Sequence, residues 1–283
     1  MRPEQVTDPV AFHAEGPVWS ERWGGLRWVD MLAGDVLSLA ESGSLRRVKV
    51  GQVAAAVRPR RKGGAVIAVE RGFVLESADG TLTRLADVWT DPEVRMNEGG
   101  CDPQGRFYCG SMAYDQRPGG GTLYRLDPDC NIRPVVDRVT ISNGLDWSPD
   151  GSIAYYADTA THRIDVFDYD GESGGLTSRR PFVDLSAEAL RPDGLTVDAE
   201  GAVWVALSNG GAIRRYTAAG KLDVIVELPV RKVTACTFGG PGLDQLYITT
   251  SREGVPPGDD PLAGSLFKVV VGRVGRPVLD FAG

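Results

Sequence analysis

A glycine that marks a tight turn recurs at nearly constant intervals along this chain. Each copy follows a short apolar segment and precedes a segment in which apolar and polar residues alternate. The six copies are Gly24, Gly64, Gly105, Gly151, Gly201 and Gly242. They are separated by 40, 41, 46, 50 and 41 residues, so six units account for nearly all of the 283 residues. A repeat of this length is typical of propellers and solenoids.

Further alternating segments follow each turn, and they indicate half-buried strands. Four of them begin at Gly121, Arg163, Ala212 and Ser265. The best helical candidate, from Leu185 to Pro192, is predicted to form only one or two turns. Four short strands per unit predict an all-β fold, a single six-bladed β-propeller domain over residues 1–283. We expect the N-terminal segment to pair with strands of the final unit.

The composition narrows the classes of function. Thirty-one Lys plus Arg against 38 Asp plus Glu give a formal net charge of −7, which argues against nucleic acid as a partner. No stretch approaches 18 uncharged apolar residues, and the N-terminus lacks the apolar core of a signal peptide. We therefore expect no membrane partner and a cytoplasmic location. Four cysteines without a CxxC pair are expected to be reduced, and the oligomeric state cannot be read from the sequence.

Polar residues occupy equivalent positions in four of the six units. Counting back eight residues from the turn glycine, or nine in the first unit, leads to the inner end of each innermost strand. The positions reached are Glu15, Ala56, Asn97, Asn143, Asp193 and Thr234. In a propeller these ends converge on the central channel. The two carboxylates and two amides would lose hydration there, and the carboxylates would repel one another, unless they held a cation.

The ligand chemistry favours a single hard divalent cation. Oxygen ligands without His or Cys favour Ca²⁺, Mg²⁺ or Mn²⁺ over structural zinc. Taken singly, Asn-Gly and Asp-Gly dipeptides are often only tight turns. Here, however, a polar residue stands at the equivalent position before the turn glycine in four units, and this favours a metal site. Arg95 stands two residues before Asn97 and therefore on the same strand face. It is either a substrate-binding side chain or a surface residue paired with Glu93 or Glu98.

The motifs that carry these residues resemble the regucalcin/gluconolactonase family, also called the senescence marker protein family. The matching segments are AEGPVW with Glu15, RMNEGGCDPQGRFYCGSM with Arg95 and Asn97, ISNGLDWSPDG with Asn143, and RPDGLTVDAEGAVWVA with Asp193. NGGAIRRY, LPVRKVTACTFGG and LYITTSREG extend the match toward the C-terminus. The resemblance covers essentially the whole chain, in order. It implies a six-bladed propeller with one divalent cation in the central channel.

The resemblance also assigns roles to individual residues. It implies that Glu15, Asn143 and Asp193 bind the metal, whose identity among Ca²⁺, Mg²⁺, Mn²⁺, Zn²⁺ and Fe²⁺ it leaves open. Asp193 would also be the catalytic residue. Arg95 and Asn97 would contact the substrate. So would Asp115, which matches a family glutamate but is one methylene shorter, and the short loop from Gln116 to Gly121 would alter the preference for particular sugars.

The implied function is a metal-dependent lactonase that opens a sugar lactone to the aldonic acid. Three alternatives stay open at this point. One is a calcium-binding regulatory protein of the regucalcin type. The second is a phosphotriesterase or a lactonase for non-sugar substrates on the same scaffold. The third is a protein-binding propeller, which ranks last because it has no need of acidic and amide side chains along its axis.

Overall fold

A computed structural model describes all 283 residues, and it contains six four-stranded antiparallel sheets. Each of the first five sheets is built from four consecutive strands. The first is β2 (Ala14–Ser20), β3 (Gly25–Asp30), β4 (Asp35–Ala40) and β5 (Leu45–Lys49). The second is β6 (Ala54–Pro59), β7 (Ala65–Val69), β8 (Gly72–Glu76) and β9 (Leu82–Arg84). The third is β10 (Val94–Cys101), β11 (Phe107–Ala113), β12 (Gly121–Leu126) and β13 (Ile132–Val139).

The remaining sheets repeat this order until the last strand. The fourth is β14 (Ser142–Trp147), β15 (Ile153–Asp158), β16 (Arg163–Asp170) and β17 (Gly175–Asp184). The fifth is β18 (Pro192–Val197), β19 (Val203–Leu207), β20 (Ala212–Tyr216) and β21 (Leu222–Glu227). The sixth is β22 (Val233–Gly239), β23 (Gln245–Thr250), β24 (Leu266–Val270) and β1 (Glu4–Gln5). The predicted six-bladed β-propeller is therefore confirmed.

In the first five blades the first strand in chain order is the innermost strand, and in the sixth blade the innermost strand is β22. The innermost strands β2, β6, β10, β14, β18 and β22 contact their neighbours in a closed ring around the central channel. Strand β1 closes the ring because it pairs antiparallel with β24, with Glu4 opposite Lys268 and Gln5 opposite Phe267. This pairing confirms the expected role of the N-terminal segment. It also completes the sixth blade with residues from the opposite end of the chain.

The hydrophobic core lies between adjacent blades. Trp28, Trp147 and Trp204 are fully buried. Trp147 packs on Tyr108 of the preceding blade with ring centroids 5.3 Å apart. Trp204 packs edge-on against Phe238 of the following blade at 5.6 Å. Large aromatic side chains that bridge blades hold the six sheets at fixed positions around the channel.

The helical content is limited to single 3₁₀ turns. They span Glu21–Trp23, Met31–Ala33, Thr159–Thr161 and Ser186–Glu188. The last lies within the segment where the sequence predicts one or two turns. None of these helices is long or apolar enough to cross a membrane.

The turn glycines do what the repeat predicts in five of the six blades. Gly24, Gly64, Gly105, Gly151 and Gly201 all have φ between 61° and 90°, a left-handed conformation that costs an L-residue about 1–2 kcal/mol. The sixth, Gly242, has no such φ, and in that blade the positive φ values are 81° at Gly240 and 50° at Leu243. The N–H of Leu243 donates to the carbonyl of Gly240 at 3.0 Å, so Leu243 occupies the place that the turn glycine has in the first, third, fourth and fifth blades. The looser last repeat therefore shifts this turn position by one residue.

We expect Gly64→Ala to destabilise the protein at least about twice as much as Gly80→Ala. Both glycines have positive φ, at 72° and 86°. A Cβ at Gly64 would overlap the backbone carbonyl of Glu76, whereas a Cβ at Gly80 would meet nothing within 4 Å. Gly80→Ala therefore measures the backbone strain alone. Urea denaturation of both variants measures the difference, and equal losses in the free energy of unfolding would contradict it.

Candidate metal centre and substrate cavity

Every innermost strand is irregular at the position where the sequence repeat places a channel-facing side chain. The register of pairing to the second strand shifts between Met96 and Gly99, between Ser142 and Leu145, and between Pro192 and Leu195. Equivalent shifts occur in the other three blades. Such bulges leave residues unpaired and redirect their side chains. The bulge contains the predicted channel residue in the last four blades and lies next to it, at Glu15 and Ala56, in the first two.

The glycines that follow the polar residues allow the innermost strands to approach one another. A Cβ at Gly144 would lie 2.8 Å from the carbonyl oxygen of Asp193, and one at Gly194 would lie 2.9 Å from the Cα of Ala235. Both glycines lie within strands and neither has a positive φ. The Asn-Gly and Asp-Gly pairs are therefore not tight turns. Their glycines are needed for close packing around the channel.

Three buried carboxylates meet at the centre of the ring. Glu15, Glu98 and Asp193 each have an oxygen within 4.8 Å of the other two, and their exposed fractions are 2%, 4% and 6%. The sequence repeat predicts that Glu15 and Asp193 meet, but it misses Glu98. The reason is the bulge between Met96 and Gly99. Within it, two consecutive residues of β10 are unpaired, so their side chains need not point to opposite faces of the sheet.

Asn143 adds an amide oxygen whose direction is fixed by hydrogen bonds. Its Nδ2 donates to Thr159 Oγ1 at 3.0 Å, and the Thr159 hydroxyl donates to the carbonyl of Pro192 at 2.7 Å. The Asn143 Oδ1 is consequently the end of the amide that is left without a hydrogen-bond partner. The 3₁₀ turn after β15 and the innermost strand of the fifth blade thus hold the amide in one orientation.

The cluster has the chemistry of a cation site. Asn143 Oδ1, Asp193 Oδ1 and Glu98 Oε2 are buried and have no hydrogen-bond partner in the protein. Buried oxygens are normally satisfied, and carboxylate and amide oxygens are the ligands that hard divalent cations prefer. The residues present therefore fit a divalent cation held by Glu15, Asn143 and Asp193, with Glu98 beside them.

Burial perturbs the pKa of every ionisable group in the cluster. Burial raises the pKa of Asp193 to about 7, although the positive charge of Lys232 opposes the shift. It raises the pKa of Glu98 to about 8, opposed by Arg58. The pKa of Glu15 is well above its usual range because of burial and, secondarily, the negative charges of Asp193 and Glu98. Burial therefore opposes the ionisation of all three carboxyls, and a bound cation would favour it.

Asn97 and Arg95 form a hydrogen-bonded pair beside the cluster. Arg95 donates from Nη1 to Asn97 Oδ1 at 2.7 Å and to the carbonyl of Met96 at 3.0 Å. Asn97 Nδ2 donates to the carbonyl of Ser142 at 2.7 Å. Arg95 is only 6% exposed and forms no ion pair with Glu93 or Glu98, so the surface-residue alternative is wrong. Both side chains line the cavity above the cluster.

Asp115 lies outside this group of residues. Its side chain is 59% exposed and pairs with Arg117 at 3.1 Å. It is not among the residues that line the cavity, whereas the next residue, Gln116, is. The substrate contact assigned to Asp115 stays a prediction.

His13 is a second residue that the sequence reading misses. It is buried beside Glu15, with Nε2 3.9 Å from Glu15 Oε1, and its Nδ1 lies 2.6 Å from Ser251 Oγ. Burial lowers the pKa of His13 to about 4, so the imidazole is neutral at physiological pH. The signal that could have found it is its position two residues before Glu15, which mirrors the position of Arg95 before Asn97.

Glu15, Asn143 and Asp193 form the floor of a cavity of about 770 Å³ that opens at one end of the channel, whereas Glu98 lies behind them and does not line it. Glu15, Arg95, Asn97, Asn143 and Asp193 all line it, so the structure brings five of the six predicted site residues together. Only three of the 21 lining residues are hydrophobic. A cavity of this size and polarity fits a small polar molecule.

These features describe a six-bladed propeller with a candidate cation site at the floor of a polar cavity. The family model described as "SMP-30/Gluconolactonase/LRE-like region" matches residues 13–252, and the chain belongs to this family. It is 38% identical to regucalcin from Oryctolagus cuniculus over 282 residues, with 95% of this chain and 94% of the relative covered.

Two solved structures extend the comparison. A calcium-binding protein, regucalcin, from Agrobacterium tumefaciens superposes with a TM-score of 0.92 at 26% identity, covering 98% of this chain and 96% of that chain. A luciferin-regenerating enzyme superposes with a TM-score of 0.91 at 28% identity, covering 99% of this chain and all of the other. These relatives share the propeller architecture along its whole length.

The raised pKa values predict how stability depends on pH when cations are removed. A carboxyl whose pKa is higher in the folded than in the unfolded state stabilises the fold at low pH. That stabilisation is lost as the pH rises through the folded-state value. In EDTA, we therefore expect the melting temperature to fall by at least about 5 °C between pH 5.5 and pH 8.5.

A divalent cation should remove most of this loss, because it compensates the charge of Glu15, Glu98 and Asp193. Asp193→Asn should reduce the loss in EDTA, since one fewer carboxyl ionises. Differential scanning calorimetry in EDTA and with added Mg²⁺, Mn²⁺ or Ca²⁺ measures these effects. A melting temperature in EDTA that is constant or rises over this interval would show that ionisation of the cluster does not destabilise the fold.

Proposed function

We propose that this protein is a divalent-metal-dependent hydrolase that opens a sugar lactone to the aldonic acid. The observation that carries the proposal is that the unpartnered oxygens of Asn143 and Asp193 lie at the floor of a polar cavity, with the buried carboxylate of Glu98 within 4.8 Å of Asp193. Membership of a family whose description includes gluconolactonase supports the reaction class. The polar lining supports a hydroxylated substrate over an apolar lactone or phosphotriester.

Glu15, Asn143 and Asp193 would hold the cation, and Glu98 would add negative charge next to them. When bound, a divalent cation supplies Lewis acidity toward a carbonyl oxygen and lowers the pKa of a water molecule. The oxygen-only ligand set is compatible with Ca²⁺, Mg²⁺ and Mn²⁺, and Zn²⁺ and Fe²⁺ remain candidates. The protein contributes the orientation of each ligand, as the hydrogen bond from Asn143 to Thr159 illustrates.

Asp193 is the proposed general base. Its Oδ1 has no partner within the protein and can accept the proton of a water molecule that attacks the lactone carbonyl carbon. A new C–O bond then forms and the ester bond to the ring oxygen breaks. The proton passes from Asp193 to the departing alkoxide, which leaves a hydroxy acid. Atoms and charge balance without any other reactant.

Arg95 and Asn97 are proposed to orient the sugar. The hydrogen bond between them fixes both side chains, and the Asn97 amide is anchored a second time on Ser142. The Arg95 Nε and Nη2 have no hydrogen-bond partner in the protein, so they can donate to substrate hydroxyls. Holding the lactone in a single orientation lowers the entropic cost of reaching the transition state.

A calcium-binding regulatory role is the second candidate. It is favoured by the Agrobacterium tumefaciens structure, which is described as a calcium-binding protein, and by the oxygen-only cluster here. The two candidates differ in whether the cavity turns over a substrate. A protein-binding role would use the outer rim of the propeller, and it would not require the polar cavity or the oxygens that line it.

We expect Asp193→Asn to lower kcat for gluconolactone or xylonolactone by about 10²–10⁴-fold, because the general base is lost. Asp244→Asn is the matched control, since Asp244 is exposed and lies outside the cavity. A pH-stat assay measures both variants at saturating metal. Near wild-type turnover by Asp193→Asn would contradict the role of Asp193.

The same assay separates the two candidate functions. EDTA should abolish hydrolysis, and added Mg²⁺, Mn²⁺, Zn²⁺ or Ca²⁺ should restore it. Tight Ca²⁺ binding by calorimetry, with no turnover of any aldonolactone in any metal, would favour the regulatory role and overturn the lactonase.

Asp115 and Gln116 offer a test of how the sugar is held. If Asp115 contacts the substrate, Asp115→Asn should raise KM by about 5- to 20-fold with little change in kcat. Gln116→Ala should then have the smaller effect. The reverse order of KM values would assign the contact to Gln116, the residue that lines the cavity.

A further inference from the structure

A second ring of side chains lies one layer closer to the mouth of the cavity. Residues two apart on a strand face the same side, so the positions two before the first ring form this layer. They are His13, Ala54, Arg95, Ile141, Arg191 and Lys232. All except Ala54 line the cavity. We call these five cavity-lining residues the collar, and three of them are permanent cations.

Two of the three cations are already engaged within the protein. Arg95 donates to the Asn97 side chain and to the Met96 carbonyl. Lys232 forms an ion pair with Glu253 at 2.5 Å and donates to the Glu253 carbonyl at 3.0 Å. Arg191 is different, because its guanidinium has no hydrogen bond and no carboxylate within 4.0 Å, and only its backbone is bonded.

The backbone of Arg191 is held firmly although its side chain has no partner. Its N–H donates to Asn209 Oδ1 at 3.0 Å, and its carbonyl accepts from the N–H of Ser208 at 3.0 Å. Asn209 is itself anchored by donating to the carbonyl of Ala189 at 3.0 Å. The structure thus positions a half-buried guanidinium at the cavity wall and supplies it with no ligand.

Arg231 repeats this arrangement at the mouth. Its N–H donates to Asp260 Oδ2 at 3.0 Å, its carbonyl accepts from Gly211 at 3.0 Å, and its guanidinium has no hydrogen-bond or ion-pair partner. Arg191 and Arg231 belong to consecutive blades and flank the turn that contains Asn209. Two unpartnered guanidinium groups therefore stand on one side of the cavity.

A planar guanidinium without a partner is suited to bind a carboxylate through two parallel hydrogen bonds. Arg191 directly precedes β18, two residues before Asp193, and both side chains line the same cavity. A substrate held at Asp193 by its ester therefore shares this cavity with the Arg191 guanidinium, which is available to a distal group of the substrate.

The charges at the mouth favour a monoanion. Glu253, Asp259 and Asp260 also line the cavity, and they would repel a phosphate dianion more strongly than a carboxylate. We propose that Arg191, assisted by Arg231, binds a carboxylate at the end of the substrate distal to the lactone carbonyl. The preferred substrates are then lactones of sugar diacids. This inference rests on the proposed lactonase function and specifies its substrate class.

The test compares neutral and acidic lactones of the same stereochemistry in the metal-loaded protein. The pairs are gluconolactone with glucarolactone and galactonolactone with galactarolactone. We expect kcat/KM to be higher for the acidic member of at least one pair. Arg191→Gln should lower kcat/KM for that acidic lactone by about 10- to 100-fold, mainly through KM. The neutral lactone should change less than about twofold, because its hydrogen bonds do not need the charge.

Arg46→Gln is the matched control, since Arg46 is an exposed arginine on β5 without a side-chain partner and far from the cavity. Equal hydrolysis of both members of each pair, or an equal loss for both in Arg191→Gln, would overturn the carboxylate site and leave the lactonase standing. A preference for 6-phosphogluconolactone that depends on Arg191 would overturn the choice of carboxylate over phosphate.

A binding measurement makes the test independent of turnover. Isothermal titration calorimetry should detect tighter binding of glucarate than of gluconate, and Arg191→Gln should abolish the difference. If no lactone is hydrolysed in any metal but this difference is found, the lactonase fails while the carboxylate site stands. If both acids bind equally, the carboxylate site is refuted.

Discussion

Mutual repulsion among three buried carboxylates is the constraint on which this site depends. Glu15, Glu98 and Asp193 come from the first, third and fifth blades and meet within 4.8 Å. Desolvated charges at such distances cost several kcal/mol unless a cation or protons compensate them. The aromatic contacts between blades, such as Trp147 on Tyr108, supply the rigidity that holds the three groups together. The electrostatic cost of the cluster is thus offset by the packing of side chains between blades.

The same two positions of each innermost strand supply the two layers of side chains in the cavity. The inner ends of the innermost strands provide the oxygens of the cation site, and the positions two residues earlier provide the collar. The blades differ in sequence at these positions, so chemistry varies around the channel while the backbone geometry stays the same. The first layer carries carboxylates and amides, and the second carries Arg95, Arg191 and Lys232. A ligand in the cavity therefore meets acidic groups below and basic groups above.

The spacing of the turn glycines was sufficient to predict the six-bladed architecture and the convergence of Glu15, Asn97, Asn143 and Asp193 on the channel, where all four line one cavity. It could not predict Glu98, because alternation fails where β10 bulges and only the pairing register reveals the bulge. The turn position of the sixth blade was also misassigned, since the left-handed residues there are Gly240 and Leu243 and not Gly242. Loop residues such as Asp115 have no periodicity to constrain them, so their direction depends on contacts like the one with Arg117.

The closure of the sixth blade by β1 has a consequence for the order in which the molecule matures. Glu4 pairs with Lys268 and Gln5 with Phe267, so the outermost strand of this blade can be added only after both segments have been synthesised. Pairings between residues so distant in sequence carry a large loop-closure cost. We therefore expect the ring of blades to close late in folding, after the local hairpins of each blade have formed.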